Sequence, residues 1–314
     1  MTALLDIRNV SVDFKIRGSW RAPGGTLRAL DDVSLSVARG DIVAIVGESG
    51  SGKSTLGYAV AGLRRPTRGT ISINATHAAG EMRKPVQMIF QDPFAAIDPR
   101  MIVEDIIAEP LRLAGAEAAR RRARVAEVLE EVGMPTDAAH RYPHQFSGGQ
   151  RQRIAIARAL IGEPELIVAD EPLSALDVSI QSKILNLISD IQKRTRIGYL
   201  FISHDFGVVR HIADRVAVLY LGRIVEMAKA DDIFSTPSHP YTQALLNAAP
   251  RIGHGRRKRG VALKGEIPSP LKPPSGCVFH TRCPRATPLC ATTRPALLPA
   301  PGRTEQLSAC HHKD

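Results

Sequence analysis

The sequence predicts an α/β fold built on a largely parallel sheet. Two observations carry this reading. Apolar runs of strand length recur at residues 41–46, 166–169 and 199–203, the pattern of strands buried on both faces. Stretches of helical spacing with one apolar face alternate with them, as in strand–helix–strand units.

In chain order, residues 5–16 read as a strand with Ile7, Val10, Val12 and Phe14 as its apolar positions. Residues 18–25 read as a loop, and residues 27–37 as a second strand pair. The buried run 41–46 comes next, and a helix is expected to open at Lys53. Val125, Val128, Leu129 and Val132 share one helical face. Residues 149–160 form another expected helix, followed by the buried strand 166–169. Ile184, Leu187, Ile188 and Ile191 line one face of a helix over 180–193, and 199–203 is again strand. From about residue 237, Pro, Gly and basic residues dominate, including Arg256-Arg257-Lys258-Arg259. No helical or strand period persists there, so residues 237–314 read as a separate extension. There is no internal repeat.

At 314 residues the chain can bury a sizeable core and hold more than one domain. No apolar run approaches the roughly 20 residues of a membrane helix. Asp6 and Arg8 interrupt the start, so no signal peptide is expected and the protein should stay in the cytosol unless a partner holds it at a membrane. The formal charge of +11 raises nucleic acid as a partner, but aromatics are only 4% of residues and no base-stacking motif is present. Contact with anionic lipid head groups, or a plain solvated basic surface, accounts for the same charge.

Gly47-Glu48-Ser49-Gly50-Ser51-Gly52-Lys53-Ser54 fits the phosphate-loop pattern G-x-x-x-x-G-K-[ST], and Thr55 follows it. The loop leaves a buried strand and enters a helix, the context this motif needs. Its glycines let backbone N–H groups close around phosphates, and the helix N-terminus adds a favourable dipole. Lys53 is expected to pair with the β- and γ-phosphates and Ser54 to bind Mg²⁺. The apolar run 166–169 ends in Asp170 and Glu171. An acid at that edge can hold Mg²⁺, and the next can polarise an attacking water. Ser147-Gly148-Gly149-Gln150 opens a helix with N-cap character and forms a second anion-binding end, best used on the nucleotide of a second subunit.

At these residues the sequence resembles the ABC ATPase family, Ser147 to Gln150 and Arg151 matching its signature. The resemblance implies an ABC-type P-loop NTPase: a RecA-like core with an antiparallel β subdomain over residues 1–92 and 155–236, and a helical signature subdomain over 93–154. Gln91 matches the glutamine loop, which senses Mg²⁺ and water and contacts membrane subunits. Ser174-Ala175-Leu176-Asp177 matches the dimer-interface loop, and His204 the switch histidine at the γ-phosphate. Phe14 stands where the family places an adenine-stacking aromatic. It reads equally as a core strand aromatic. The implied mechanism is ATP hydrolysis between two ATPase domains, with Glu171 as base or water-positioning group.

Ser238-His239-Pro240-Tyr241, Gly265-Glu266-Ile267-Pro268 and Cys277 resemble the C-terminal extension of oligopeptide and dipeptide importer ATPases, an architecture nickel importers share. The stretch Phe94 to Arg100 corresponds to a family segment with conservative changes. Residues 172–181 look most like the second ATPase of a pair. The partners implied are a sister ATPase, two membrane permease subunits and an extracytoplasmic substrate-binding protein, with no nucleic acid. The implied location is peripheral, on the cytoplasmic side of the inner membrane. Cys277, Cys283, Cys290 and Cys310, spaced C-x5-C-x6-C-x19-C, lack paired C-x2-C knuckles. Four thiolates without His suit a [4Fe–4S] cluster, which the resemblance implies; Zn²⁺ and free thiols are the alternatives. A nucleic-acid-directed ABC ATPase usually carries two ATPase domains or a coiled-coil insertion, and neither is present. A redox sensor would not need the complete hydrolysis set.

Overall fold

The computed structural model describes residues 3–16, 18, 24–76, 84–92, 96–248 and 265–313. The basic run 256–259, most of the loop 18–25, and Phe94 and Ala95 lie outside the described residues.

Strands β1 (Leu5–Ile16) and β2 (Gly25–Val37) precede β3 (Ile42–Val46), whose five residues are all buried. Helix α1 (Lys53–Val60) follows, then β4 (Arg68–Ile73) and β5 (Val86–Ile89). Helix α2 (Val103–Leu113) carries Glu104 and Asp105 in its first turn and Arg112 in its last, complementing the helix dipole. Helix α3 (Ala118–Glu131) buries Val125, Val128 and Leu129, and α4 (Gly148–Leu160) leads to β6 (Leu166–Asp170). Helix α5 (Val178–Thr195) ends at Arg196 in the left-handed conformation, before β7 (Gly198–Ser203). The chain continues through α6 (Phe206–Ile212), β8 (Arg215–Tyr220), β9 (Arg223–Lys229), α7 (Ala230–Ser235) and α8 (Pro240–Ala248). It closes with α9 (Pro288–Thr292), β10 (Leu298–Ala300) and β11 (Arg303–Ser308).

The chain divides into two compact units. The first comprises Met1–Leu5, Ser36–Ile42 and Ile73–Ile202. In it β5, β6 and β7 lie side by side and parallel, with Ile89 opposite Ala169 and Asp170 opposite Ile202. Helices α2, α3 and α4 pack on one another, burying Ile106, Ile107, Val128, Leu129, Ile154 and Ala157.

The second unit comprises Asp6–Leu35, Val43–Ser72 and Ser203–Asp314. It holds a three-stranded sheet in the order β2-β1-β4 and a run of strands in the order β10-β11-β9-β8-β3. Strands β3 and β8 are parallel, while β8–β9, β9–β11 and β11–β10 are antiparallel. One apolar cluster joins Val46, Val218 and Tyr220 to Tyr241, Cys277, Val278, Phe279 and Cys290.

The expectation that the tail lacks regular elements is therefore corrected: α8, α9, β10 and β11 all lie beyond residue 237. Strand β11 escapes a hydrophobic reading because it is held by polar pairing. Its Gln306 is buried and donates to Glu226 Oε1 at 2.8 Å on β9. Helix α2 carries Pro110 inside it, which weakens its helical signal in the sequence. Among the described residues no helix is long and apolar enough to cross a membrane.

Candidate functional site: a phosphate loop, a carboxylate edge and a capped helix end

The loop after β3 is shaped by its glycines. Gly47 has φ 157° and Gly52 φ 107°. A Cβ on Gly47 would stand 2.2 Å from the Leu219 carbonyl oxygen, and one on Gly52 2.4 Å from that of Ala29. Only glycine allows this turn and this approach of backbone to backbone. Gly222 N–H donates to the Ser51 carbonyl at 2.8 Å, which fixes the far side of the loop. Ser49 and Gly50 stay exposed at its rim. Lys53 is buried, and its Nζ donates to the carbonyls of Gly47 (2.8 Å) and Glu48 (3.0 Å). An ammonium desolvated this way and aimed along the loop is suited to a polyanion. Ser54 and Thr55 occupy the first turn of α1 and are partly buried.

Phe14, near the end of β1, is half-buried, and the Arg64 guanidinium lies 4.5 Å above its ring. The aromatic face thus already supports a cation–π contact, formed between residues 50 positions apart in the chain. His204 is exposed just after β7. The next residue, Asp205, caps α6, its Oδ1 accepting from the N–H groups of Gly207 (2.7 Å) and Val208 (3.4 Å).

In the first unit, Asp170 ends β6 fully buried, and Glu171 follows with φ 44°. That left-handed backbone costs a non-glycine residue on the order of 1 kcal/mol and is held by local bonds. Glu171 N–H donates to the Ile202 carbonyl at 3.0 Å, and its carbonyl accepts from the Ser174 N–H at 3.2 Å. Gln91 Nε2 donates to Glu171 Oε2 at 3.1 Å. Gln91, Asp170 and Glu171 are therefore brought to one edge, across the ends of β5 and β6.

Ser147 caps α4 as its residue type suggests. Its Oγ accepts from the Gln150 N–H, while Gln150 Oε1 accepts from the Ser147 N–H at 3.0 Å, a reciprocal capping box. Ser147 and Gln150 are exposed and the first turn holds no acid, so the positive end of the dipole faces outward. Gly149 is buried: a Cβ there would meet Ile180 Cγ2 at 2.6 Å, and one on Gly148 would meet Leu176 Cδ2 at 3.5 Å. The signature turn thus sits on the 176–180 segment. Asp177, the N-cap residue of α5, is exposed beside it.

Cys277 lies within electrostatic range of the other three cysteines. Cys277 and Cys290 are buried, Cys283 and Cys310 partly so, and Cys277 N–H donates to the Cys290 carbonyl at 2.8 Å. Burial, with the other three thiols nearby, pushes Cys277 up to about 11, and burial raises Cys283 and Cys310. Backbone N–H groups of Phe279, Arg285 and His312 reach the sulfurs of Cys277, Cys283 and Cys310. A set of four soft thiols with N–H donors on three sulfurs suits iron–sulfur or zinc ligation. Among the described residues, however, no three His, Cys, Asp or Glu side chains stand in a ready-made metal-holding arrangement.

Several residues outside the expected set matter here. Glu226 is buried, and its carboxylate accepts from the N–H groups of Ser238 (2.7 Å) and His239 (2.9 Å) at the start of α8. Glu48 is gripped by Arg282 and Tyr241 from the tail. The Glu48 contacts span 193 and 234 residues and leave no mark in the sequence.

Residues 30–174 match the ABC transporter family, and residues 225–290 match the oligopeptide/dipeptide transporter C-terminal region. A Brucella ovis protein named for peptide import and ATP binding is 51% identical over 304 residues, covering 94% of this chain and 94% of that protein. The oligopeptide transport ATP-binding protein AppF of Bacillus subtilis is 47% identical, covering 98% of this chain and 97% of its own. A dimeric post-hydrolysis structure of the ATP-binding cassette MJ0796, bound to ADP and Pi, superposes with a TM-score of 0.61 at 29% identity, covering 72% of this chain and 98% of that one. The chain belongs to the ATP-binding proteins of the ABC transporter family, in the branch that carries the oligopeptide/dipeptide transporter C-terminal region.

Proposed function

We propose that this chain hydrolyses ATP to power import of oligopeptides or dipeptides. It works as one of two ATPase subunits, most simply a heterodimer, beneath two membrane permease subunits on the cytoplasmic side of the inner membrane. An extracytoplasmic binding protein delivers the cargo. The observation that carries the reading is the glycine-shaped loop with Lys53 buried at its base, on the same chain as the capped signature helix.

Gly47, Ser49, Gly50, Ser51 and Gly52 enclose the phosphates, Lys53 pairs with their charge, and Thr55 supports the helix end. Phe14 stacks on the adenine. Ser54, Gln91 and Asp170 are the residues that would hold Mg²⁺, which would neutralise phosphate charge. Glu171 orients or deprotonates the attacking water, and His204 contacts the γ-phosphate. Ser147, Gly148, Gly149 and Gln150 present their N–H groups to the nucleotide of the partner ATPase, and Asp177 lies at that dimer interface. Residues 1–92 with 155–236, 93–154 and 237–314 serve as core, signature subdomain and extension.

Cys277, Cys283, Cys290 and Cys310 are the residues that would hold a [4Fe–4S] cluster in the extension, with Zn²⁺ the rival occupant. The neighbouring thiols and their N–H donors support this assignment. The chain's role is tested by deleting its gene in the source cell and measuring uptake of a labelled tripeptide. Loss of uptake, restored by the wild-type chain and not by Lys53→Ala, is expected; undiminished uptake contradicts the cargo assignment.

A further inference from the structure

The phosphate loop has one acidic residue, Glu48, and that residue does not face solvent alone. Arg282 forms a two-pronged ion pair with it: Nη1 to Oε2 at 2.7 Å and Nη2 to Oε1 at 3.0 Å. The Arg282 side chain is only 5% exposed, so the pair is largely removed from water, where a fork-to-fork contact holds orientation as well as charge. The Glu48 N–H donates to the Tyr241 hydroxyl at 2.9 Å, and that hydroxyl also bonds the Glu48 carboxylate. Arg282 lies over the Tyr220 ring, 5.8 Å from its centre, and Phe279 packs edge-on to Tyr220 at 5.4 Å. The far end of this chain of contacts is Lys53, whose Nζ donates to the Glu48 carbonyl.

We propose that Arg282 and Tyr241 are positioning residues of the nucleotide site, through which the C-terminal extension sets the shape of the phosphate loop. Both reach the loop through Glu48: Arg282 fixes its side chain, Tyr241 its N–H, and its carbonyl in turn orients Lys53. A phosphate loop binds by presenting several backbone N–H groups at once, so a small rotation at residue 48 affects all of them. The extension is then required for nucleotide binding, not only attached to the domain that performs it. Arg282 stands directly before Cys283, so the fold of the cysteine segment decides whether the guanidinium reaches the loop. The inference rests on the reading of residues 47–54 as the phosphate site.

The test is a titration of the full-length chain with a fluorescent ATP analogue, with thermal melting recorded for every variant. Arg282→Gln should weaken binding roughly tenfold, because a partly buried carboxylate loses the guanidinium that orients it. Tyr241→Phe should weaken it several-fold. The double variant Glu48→Gln with Arg282→Gln should regain most of the affinity, since two amides can replace the ion pair without leaving a charge unpaired. Arg294→Gln, a tail variant away from the loop, should bind as wild type. Should Arg282→Gln fail to fold, Arg282→Lys, which keeps the charge and loses the fork, should fold and bind with intermediate affinity. Unchanged affinity in folded Arg282→Gln, or a lowered melting point with unchanged affinity, overturns the proposal. Lys53→Ala separates the two claims: wild-type binding by that variant removes the phosphate-site reading itself.

Discussion

Gln91 Nε2 donates to Glu171 Oε2 at 3.1 Å, joining the ends of β5 and β6 through their side chains. The bond orients a carboxylate whose own backbone is held at φ 44°. Removing it takes away one of the bonds that orient the carboxylate. Gln91→Ala should therefore lower the rate of ATP turnover roughly tenfold, the scale of one positioning hydrogen bond. Affinity for an ATP analogue should stay within about twofold. Gln91→Glu should be worse, because it sets a like charge against Glu171. Steady-state phosphate release and analogue binding, measured on the same preparations, decide this.

The buried His239 gives a pH dependence. Burial lowers it to about 3, against about 6.5 when exposed. Below pH 6.5 the unfolded chain binds a proton that the folded chain refuses, so stability falls as pH falls through the window from 6.5 to 3. Between pH 7 and pH 5 this one group should remove about 2 kcal/mol. His239 Nδ1 accepts from the Tyr241 N–H at 3.1 Å, and Asn can replace that acceptor. Denaturant unfolding of His239→Asn should show a pH slope smaller by this amount than wild type. Equal slopes would place the titrating group elsewhere.

The thiols make a chemical prediction. Anaerobically purified protein should be brown, with broad absorbance near about 400 nm and close to four irons per chain, the composition of a four-cysteine [4Fe–4S] site. Cys283→Ser should bleach it. Colourless protein with stoichiometric zinc would assign the site to the rival metal, and four titratable thiols with neither metal would leave the cysteines unligated.

Much of the nucleotide machinery was legible because its chemistry is local. A phosphate loop needs glycines at fixed spacing, and Gly47 and Gly52 meet backbone atoms within 2.5 Å of any added Cβ. The Ser147 cap and the buried run ending at Asp170 are written in consecutive residues too. The family of the extension was legible in its motifs, but its secondary structure was not, for two physical reasons. Its strand β11 is stabilised by pairing and by the Gln306–Glu226 bond, and so carries no apolar alternation. Its core is aromatic: Tyr241 and Phe279 pack with Tyr220 from β8, a cluster assembled across the chain. Arg282 and Glu48 are 234 residues apart, and nothing in either neighbourhood announces the other.

The central claim is that this chain hydrolyses ATP with Glu171 positioning the water. The most direct test is steady-state phosphate release by the assembled transporter, with the sister subunit's site silenced, comparing wild type with Glu171→Gln. Gln keeps the size and the contact with Gln91 while losing the negative charge. The account predicts that Glu171→Gln still binds MgATP but turns it over at least about 100-fold more slowly, the scale of losing a general base or a charged positioning group. A rate near wild type would contradict it.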